Sequence, residues 1–169
     1  ALTLGLPENF SGCLVPKALV ILQAAHKQRD YTVLAIGPGL STHSDTVRFI
    51  PEVLKELPLP AVIDADALNA LAQRPADARQ LMISRKETCI FTPHPGEMSR
   101  CLRMSSQDVL AKRRFCAEKL ALEWRGMAVL KGHETLISDG RRTAVNATGG
   151  PGLAKGGTGD VLSGLIAGL

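Results

Sequence analysis

Two spacings of apolar residues alternate along this chain. From residue 15 to residue 29, apolar side chains recur every three or four positions, which predicts a helix with one buried face. Residues 31–36 are instead a short β-rich run, which ends at Gly37-Pro38-Gly39. Helical stripes recur at 42–57, 75–83 and 105–125, and β-rich runs at 61–63, 88–92 and 127–130. A hairpin with Asp139-Gly140 as a two-residue turn is predicted over 135–145.

This order of elements predicts an α/β protein with a mainly parallel central sheet, flanking helices and one late β-hairpin. Ser41 or Thr42 is predicted to cap the second helix. Ser105 with Asp108 is predicted to form a capping box for a long helix that ends near Arg125. Because parallel strands end at the same edge of a sheet, we expect the residues that follow them to share one ligand-binding rim.

The amino-acid composition of the chain argues against some classes of binding partner. Of 169 residues, 45% are hydrophobic and 21% are charged, as in an ordinary globular protein. Aromatic residues make up only 4%, which leaves few side chains for stacking on nucleic-acid bases. The net charge of +4 is dispersed, and its densest run, Lys112-Arg113-Arg114, is typical of a solvated helix face. We therefore expect no nucleic-acid partner, whereas a polyanionic nucleotide suits the mild positive charge.

The four cysteines, Cys13, Cys89, Cys101 and Cys116, form no CxxC pair. They are expected to be reduced, buried apolar side chains rather than disulfides or zinc ligands. No apolar stretch approaches the length of a membrane span, and the first residues lack the pattern of a signal peptide. A cytoplasmic protein without a membrane partner is predicted.

The two ends of the chain lead to a further expectation. The chain starts at Ala1 rather than methionine, and it stops at Leu169 within an apolar helical pattern. Residues 1–169 are therefore expected to be one domain that is trimmed at both ends. The apolar surface that trimming exposes favours oligomers or partner chains.

A glycine-rich stretch precedes the last apolar run. Six glycines lie between Gly149 and Gly159, and Asp160 follows directly. Glycine lets a backbone approach a ligand closely, and a helix starting at Asp160 would point free N–H groups at an anion. The stretch is neither a P-loop nor a dinucleotide fingerprint. It predicts a phosphate cradle beside a base, as in phosphoryl transfer or phosphate-assisted elimination; the alternative is a plain turn before a helix.

Two further candidates follow the 88–92 strand. His94 lies between two prolines that restrict its backbone, which favours a site residue over a structural one. Glu97 begins the next helix, where its carboxylate suits either the helix dipole or a magnesium ion held through water.

Residues after two other strands are also candidates. Lys131 follows the 127–130 strand and is a reasonable phosphate contact. His133-Glu134 begins like HExxH, but residue 137 is Ile, so no zinc motif is present. Asp64 and Asp66 follow the 61–63 strand, and a spacing of two on an extended segment points them to opposite faces. One of them is therefore predicted to be a turn or cap residue.

The amino-acid sequences of these stretches resemble those of a known family. The run GGPGLAKGGTGDVLSG, residues 149–164, resembles the signature of the ADP- or ATP-dependent NAD(P)H-hydrate dehydratases of the ribokinase-like superfamily. Four more matches occur in the expected order: AIGPGL from residue 35, DADALNAL from 64, TPHPGE from 92 and LKGHETLISDG from 130. Five ordered matches are far more specific than any one of them.

The resemblance implies an enzyme, a lyase that repairs nicotinamide nucleotides. It implies that ADP, or ATP, phosphorylates the hydroxyl of (6S)-NAD(P)H hydrate and that loss of phosphate restores NAD(P)H. It further implies magnesium, a homo-oligomer with a tetramer favoured, and a fused or separate epimerase for the hydrate. The implied site residues are Asp160 as base and substrate contact, Gly39 and His94 for substrate, Lys131, Gly132, His133, Glu134, Thr135 and Gly159 for nucleotide, Gly156, Gly157 and Gly159 as anion hole, and Glu97 for metal through water.

Two positions depart from the family pattern. Gly150 stands where Asn is frequent, and Lys155 stands where Thr is frequent, so the detailed nucleotide geometry is open. Two alternatives also stay open. One is a small-alcohol kinase of the same superfamily, of the hydroxyethylthiazole or hydroxymethylpyrimidine kinase type. The other is a catalytically silent nucleotide-binding module.

Overall fold

One six-stranded sheet organises the protein. The structure is a computed structural model that describes residues 3–169. The strands are β1 (Leu34–Ile36), β2 (Ala61–Ile63), β3 (Cys89–Phe91), β4 (Met127–Leu130), β5 (Thr135–Ser138) and β6 (Thr143–Asn146). They lie in sequence order; β1 to β4 are parallel, and β5 and β6 add antiparallel neighbours. The predicted α/β class, with a mainly parallel sheet and one late hairpin, is confirmed.

Eight α-helices and one 3-10 turn connect and cover these strands within the described residues. The helices are α1 (Ala18–Arg29), α2 (Ser44–Glu56), α3 (Ala65–Ala72), α4 (Pro75–Ser84), α5 (Pro95–Leu102), α6 (Ser106–Ala111), α7 (Arg113–Glu123) and α8 (Thr158–Gly168), and the 3-10 turn is Pro151–Leu153. Helix α8 packs on β1 and β2, so its start lies at the same end of the sheet as the carboxyl ends of these strands. No helix of residues 3–169 is both long and apolar enough to cross a membrane.

The second helix starts later than predicted. His43, rather than Ser41 or Thr42, caps α2, and its ring Nδ1 accepts a hydrogen bond from the Asp45 N–H at 3.2 Å. Ser41 has a left-handed φ of 65°, and its N–H donates to the Asp66 carboxylate at 2.8 Å. Ser41 therefore belongs to the preceding turn, because its backbone is held toward α3 instead of opening a helix.

The predicted long helix over 105–125 is two helices. Ser105 caps α6, its hydroxyl accepting from the Asp108 N–H at 3.0 Å. The predicted capping box is not formed, because the Asp108 carboxylate accepts from the Ser105 hydroxyl instead of from the Ser105 N–H. Lys112 then leaves helical geometry, with φ −127° and ψ 39°, and separates α6 from α7. The apolar spacing continues across this break, so periodicity alone could not locate it.

The predicted two-residue hairpin turn is also wrong. The last paired residues of β5 and β6 are Ser138 and Thr143, so four residues connect the strands. The Asp139 carboxylate accepts from the N–H groups of Arg141 and Arg142 at 2.8 and 2.7 Å. This side-chain bonding stabilises a wider loop than Asp-Gly alone suggests.

The core between the sheet and its helices is continuous and largely aliphatic. Trp124 is 1% exposed and meets Phe91 edge to face, with ring centroids 5.3 Å apart at 85°. Aromatic pairs prefer this geometry. All four cysteines are free and buried, as predicted.

Candidate active site

The strand register brings the candidate residues to one rim of the sheet. Ile36 pairs with Ile63, and Ile63 with Phe91, so the first three strands end level with one another. The Lys131 N–H, directly after β4, donates to the Pro93 carbonyl, two residues after β3, at 2.9 Å. The chain segments that follow β3 and β4 are therefore also aligned. Residues that follow β2, β3 and β4 therefore lie side by side.

A buried ionic cluster of Asp64, Glu97 and Lys131 occupies this rim. The Lys131 ammonium lies 2.7 Å from Asp64 Oδ1 and 3.8 Å from Glu97 Oε2. The two carboxylate side chains are only 2% and 6% exposed, whereas that of Lys131 is 22% exposed. The cluster thus has two negative charges and one positive charge.

The cluster keeps Asp64 ionised. Burial by itself would raise the pKa of Asp64, but the hydrogen bond and charge of Lys131, with hydrogen bonds from Thr92 and the Ala65 N–H, lower it below its ordinary value. Asp64 also caps α3 through the Ala65 N–H at 2.8 Å, which confirms the predicted cap role.

Helix α8 reaches the same cluster. The Ser163 hydroxyl donates to Asp64 Oδ2 at 2.9 Å, and both residues are buried. At Gly159, a Cβ would lie 3.4 Å from Asp64 Oδ2 and 3.6 Å from the Lys131 ammonium. The helix backbone therefore lies against the ion pair, beside Lys131 of the predicted nucleotide segment.

The glycine-rich stretch opens α8 two residues earlier than predicted. The helix begins at Thr158, with Gly157 as its cap at a left-handed φ of 85°. The Val161 N–H already bonds to the Gly157 carbonyl, so Asp160 lies in the first turn rather than at the helix start. Within the described part of the chain, no protein group accepts from the N–H groups of the predicted anion-hole residues Gly156, Gly157 and Gly159. These donors lie next to one another at the positive end of the helix dipole.

The Asp160 side chain is exposed and faces a cavity of about 430 Å³. Ser163 lines the same cavity, as do Gly37 and Pro38, which directly precede Gly39. Gly39, the predicted substrate contact, follows them with φ 72°, and the position that a Cβ would occupy is open. A carboxylate at the mouth of an open cavity can act on a ligand without first rearranging the core.

His94 and Glu97 form a capping box at the start of α5. His94 Nδ1 accepts from the N–H groups of Gly96 and Glu97 at 3.0 and 3.3 Å, and Glu97 Oε2 accepts from the His94 N–H at 2.7 Å. His94 Nε2 lies 3.3 Å from Glu97 Oε1, and the ring is half exposed. Both side chains thus have a structural role, and the outer edge of the His94 ring faces solvent.

The predicted nucleotide segment, residues 131–135, comprises the turn between β4 and β5 and the first residue of β5. Gly132 and Glu134 have positive φ angles of 138° and 54°, and Thr135 Oγ1 donates to the Gly132 carbonyl at 3.1 Å. The Arg113 guanidinium donates to the carbonyls of His133 and Glu134 at 2.5 and 3.1 Å. Arg113 therefore holds an exposed turn whose backbone is otherwise strained.

Several residues of this rim were not among the predicted site residues. One of Asp64 and Asp66 was predicted to be a turn or cap residue, Gly37 was predicted only as part of the turn that ends the first strand, and neither Arg113 nor Ser163 was predicted to be a site residue. A polar residue three positions after Asp160 in an apolar helix is a signal that could have indicated Ser163. Gly37 requires the structure, because a Cβ there would lie 1.8 Å from the Asp64 carbonyl oxygen.

The strand order and the glycine-rich start of α8 at the rim define a ribokinase-like α/β protein. The model of the NAD(P)H-hydrate dehydratase family matches residues 12–169. The chain belongs to this family.

Known proteins similar to the chain agree with this assignment. It is 44% identical over 170 residues to the bifunctional NAD(P)H-hydrate repair enzyme Nnr of Moorella thermoacetica, covering 99% of this chain and 31% of that protein. It is 39% identical over 145 residues to the ADP-dependent (S)-NAD(P)H-hydrate dehydratase of Neisseria meningitidis serogroup B, covering 85% of this chain and 48% of that protein. The ADP/ATP-dependent dehydratase of Bacillus subtilis, co-crystallized with ATP/Mg²⁺, superposes with a TM-score of 0.68 at 29% identity, covering 93% of this chain and 61% of that one. The chain thus spans about a third to two thirds of the length of these relatives.

Proposed function

We propose that this chain carries the dehydration of (6S)-NADH or (6S)-NADPH hydrate, coupled to an adenine nucleotide, which restores the reduced coenzyme. Membership of the NAD(P)H-hydrate dehydratase family supports this dehydration reaction. The assignment of the active site rests on one observation. At the start of α8, the exposed Asp160 carboxylate, the glycine N–H groups without an acceptor among the described residues and the Lys131 ammonium lie at the same rim of the sheet. We further propose that residues 1–169 are one part of the dehydratase domain.

Asp160 acts as the base toward the ring hydroxyl of the hydrate. As the hydroxyl oxygen attacks the terminal phosphorus of the nucleotide, its proton passes to the Asp160 carboxylate. Phosphate is a far better leaving group than hydroxide, so the phosphorylated ring then loses phosphate and a ring proton. With ADP, the balanced products are NAD(P)H, AMP and phosphate.

The glycine-rich stretch stabilises charge on the transferred phosphoryl group. The N–H groups of Gly156, Gly157 and Gly159 are available donors, and fixed donors aimed at developing charge are worth about 3–4 kcal/mol each in an oxyanion hole. Lys131 adds a cation beside them, and residues 132–135 bind the remainder of the nucleotide. Gly39 and the outer edge of His94 contact the hydrated coenzyme.

Magnesium fits this rim through water rather than by direct ligation. No group of three potential ligands lies together within residues 3–169, and the Glu97 oxygens already contact His94. The cluster nevertheless has one more negative than positive charge, and Mg²⁺ commonly binds through water and substrate phosphates. Glu97 would hold such a hydrated ion, which would neutralise phosphate charge.

ADP is the nucleotide we favour, following the resemblance to the ADP-dependent relative. A homo-oligomer, favouring a tetramer, a cytoplasmic location and an associated epimerase stay predictions.

The decisive experiment mixes the complete natural protein with hydrated NADPH and either ADP or ATP and follows the absorbance of the reduced coenzyme. Recovery of absorbance supports the proposal. Phosphorylation of a small alcohol without such recovery would instead indicate a kinase, and nucleotide binding without turnover would indicate a silent module.

The substitution Asp160→Asn tests the role of Asp160 as a base independently of any role in folding. We expect it to abolish recovery of absorbance while nucleotide still binds, because the amide cannot accept the hydroxyl proton. Asp77→Asn is the matched control, since Asp77 is an exposed first-turn aspartate of α4. Full activity of Asp160→Asn would exclude the assigned role.

A further inference from the structure

The Asp64 carboxylate joins three separate elements. Its Oδ1 accepts from the Lys131 ammonium beyond β4 at 2.7 Å and from the Ala65 N–H of α3 at 2.8 Å. Its Oδ2 accepts from the Ser163 hydroxyl of α8 at 2.9 Å. The side chain is only 2% exposed. One buried group thus fixes the helix of the proposed base relative to the lysine of the proposed nucleotide segment.

A helix cap does not require this charge. Asn or Ser would cap α3 about as well, whereas burying an ionised carboxylate is costly unless it is paired and hydrogen-bonded. Here each oxygen has a partner from a different, distant part of the chain, 67 residues away for Lys131 and 99 for Ser163. The charge therefore serves the contacts with Lys131 and α8 beyond the cap itself.

The start of α8 has few other polar contacts that would orient it. Gly157 caps it without a side chain, and Ser163 is the buried residue of this helix. Asp160 precedes Ser163 by three positions, so both lie on neighbouring faces of one turn. A fixed Ser163 therefore sets the rotation of α8 and with it the direction of the Asp160 carboxylate.

We propose that Asp64 is a positioning residue that acts in two directions, through Ser163 on the Asp160 base and through Lys131 on the nucleotide. This inference rests on the proposed function. It separates two effects: losing the Ser163 bond misplaces the base, whereas losing the Asp64 charge disturbs the base and the nucleotide contact together.

The test compares Ser163→Ala with Asp64→Asn in the complete natural protein. Ser163→Ala should lower kcat by about 10- to 100-fold, the cost of misplacing a reacting group by about 1 Å, and leave nucleotide affinity unchanged in calorimetry. Asp64→Asn should lower kcat and also weaken nucleotide binding. Ser163→Cys replaces the hydroxyl by a somewhat larger thiol that is only a weak donor, so it should resemble Ser163→Ala and serves if the alanine variant fails to fold.

Ser138→Ala is the matched control for a buried serine. Ser138 is 1% exposed and donates to the Arg142 carbonyl at 3.2 Å, in the hairpin at the opposite end of β5 from residues 131–135. It should lose some stability but no activity. Wild-type kcat in folded Ser163→Ala or Ser163→Cys, or an equal kcat loss in Ser138→Ala, overturns the inference alone. Inactive wild-type protein overturns the proposed function, and this inference falls with it.

Discussion

Lys131→Met tests the energetics of the buried cluster. The substitution removes the ammonium that lies 2.7 Å from Asp64 and 3.8 Å from Glu97, and it leaves two carboxylates that are 2% and 6% exposed. Removing one partner of a buried ion pair costs about 3–5 kcal/mol, because the remaining charge stays buried. Lys131 itself is 22% exposed, so water reaches one side of the cluster. We therefore take the lower end, about 3 kcal/mol.

This loss should be easy to measure. For a chain of this length, 1 kcal/mol shifts Tm by about 2–4 °C, so we expect Lys131→Met to melt about 6–12 °C below wild type. Urea denaturation of both single variants and of Asp64→Asn with Lys131→Met completes a double-mutant cycle. The double variant should be more stable than Lys131→Met, because it leaves only one of the two carboxylates unpaired.

Wild type and Lys131→Met should differ in the pH dependence of their stability. In wild type the pKa of Asp64 is lowered, so its contribution is present above the unfolded value and is lost as pH falls through the folded value. Without Lys131, the pKa of folded Asp64 should be higher than in wild type, because burial still raises it while the hydrogen bond and charge of Lys131 no longer lower it. The difference in unfolding free energy between the two proteins should therefore be largest near neutral pH and should shrink as pH falls through the Asp64 pKa of folded Lys131→Met.

Lys119→Met is the control, because Lys119 pairs with Glu123 at 3.8 Å on an accessible helix face. It should cost less than about 1 kcal/mol. The reasoning is refuted if Lys131→Met is no less stable than Lys119→Met, or if its deficit does not change with pH.

Two further predictions concern the turns of the rim. In thermal denaturation, Gly37→Ala should lower the melting temperature much more than Gly5→Ala does. A Cβ at residue 37 would lie 1.8 Å from the Asp64 carbonyl oxygen, with φ at 136°, whereas a Cβ at residue 5 would meet open space. Equal melting temperatures of the two variants would contradict this prediction. Arg113→Met should raise the KM for nucleotide about tenfold with a smaller change in kcat, because two charge-assisted hydrogen bonds to the 131–135 turn are lost. The exposed Arg114→Met, which loses only a pair with Glu118, should leave KM unchanged, and identical KM values for both variants would refute the role of Arg113.

The sequence by itself determined the kinds of elements, their order and most of the rim. Apolar periodicity depends only on neighbours within a few residues, so it located the strands and most helices before any contact was known. The glycine run before Asp160 and the position of Lys131 after a strand indicated an anion site for the same reason, since both signals are local. The local sequence did not predict the break at Lys112, because the apolar spacing continues across it. It did not predict the four-residue hairpin loop either, because side-chain hydrogen bonds of Asp139 determine the length of that loop.

Only the tertiary structure decided which groups meet. Asp64 contacts Lys131 and Ser163 across 67 and 99 residues, and these contacts depend on strand register and on where α8 packs. The same holds for glycines whose neighbours are distant in sequence. Gly126 permits close packing because a Cβ there would lie 2.4 Å from the Cys89 carbonyl oxygen, although its sequence context indicates only the end of a helix. Local patterns thus specify elements, whereas the charge pairing that orders this rim arises from distances that exist only after the sheet has formed.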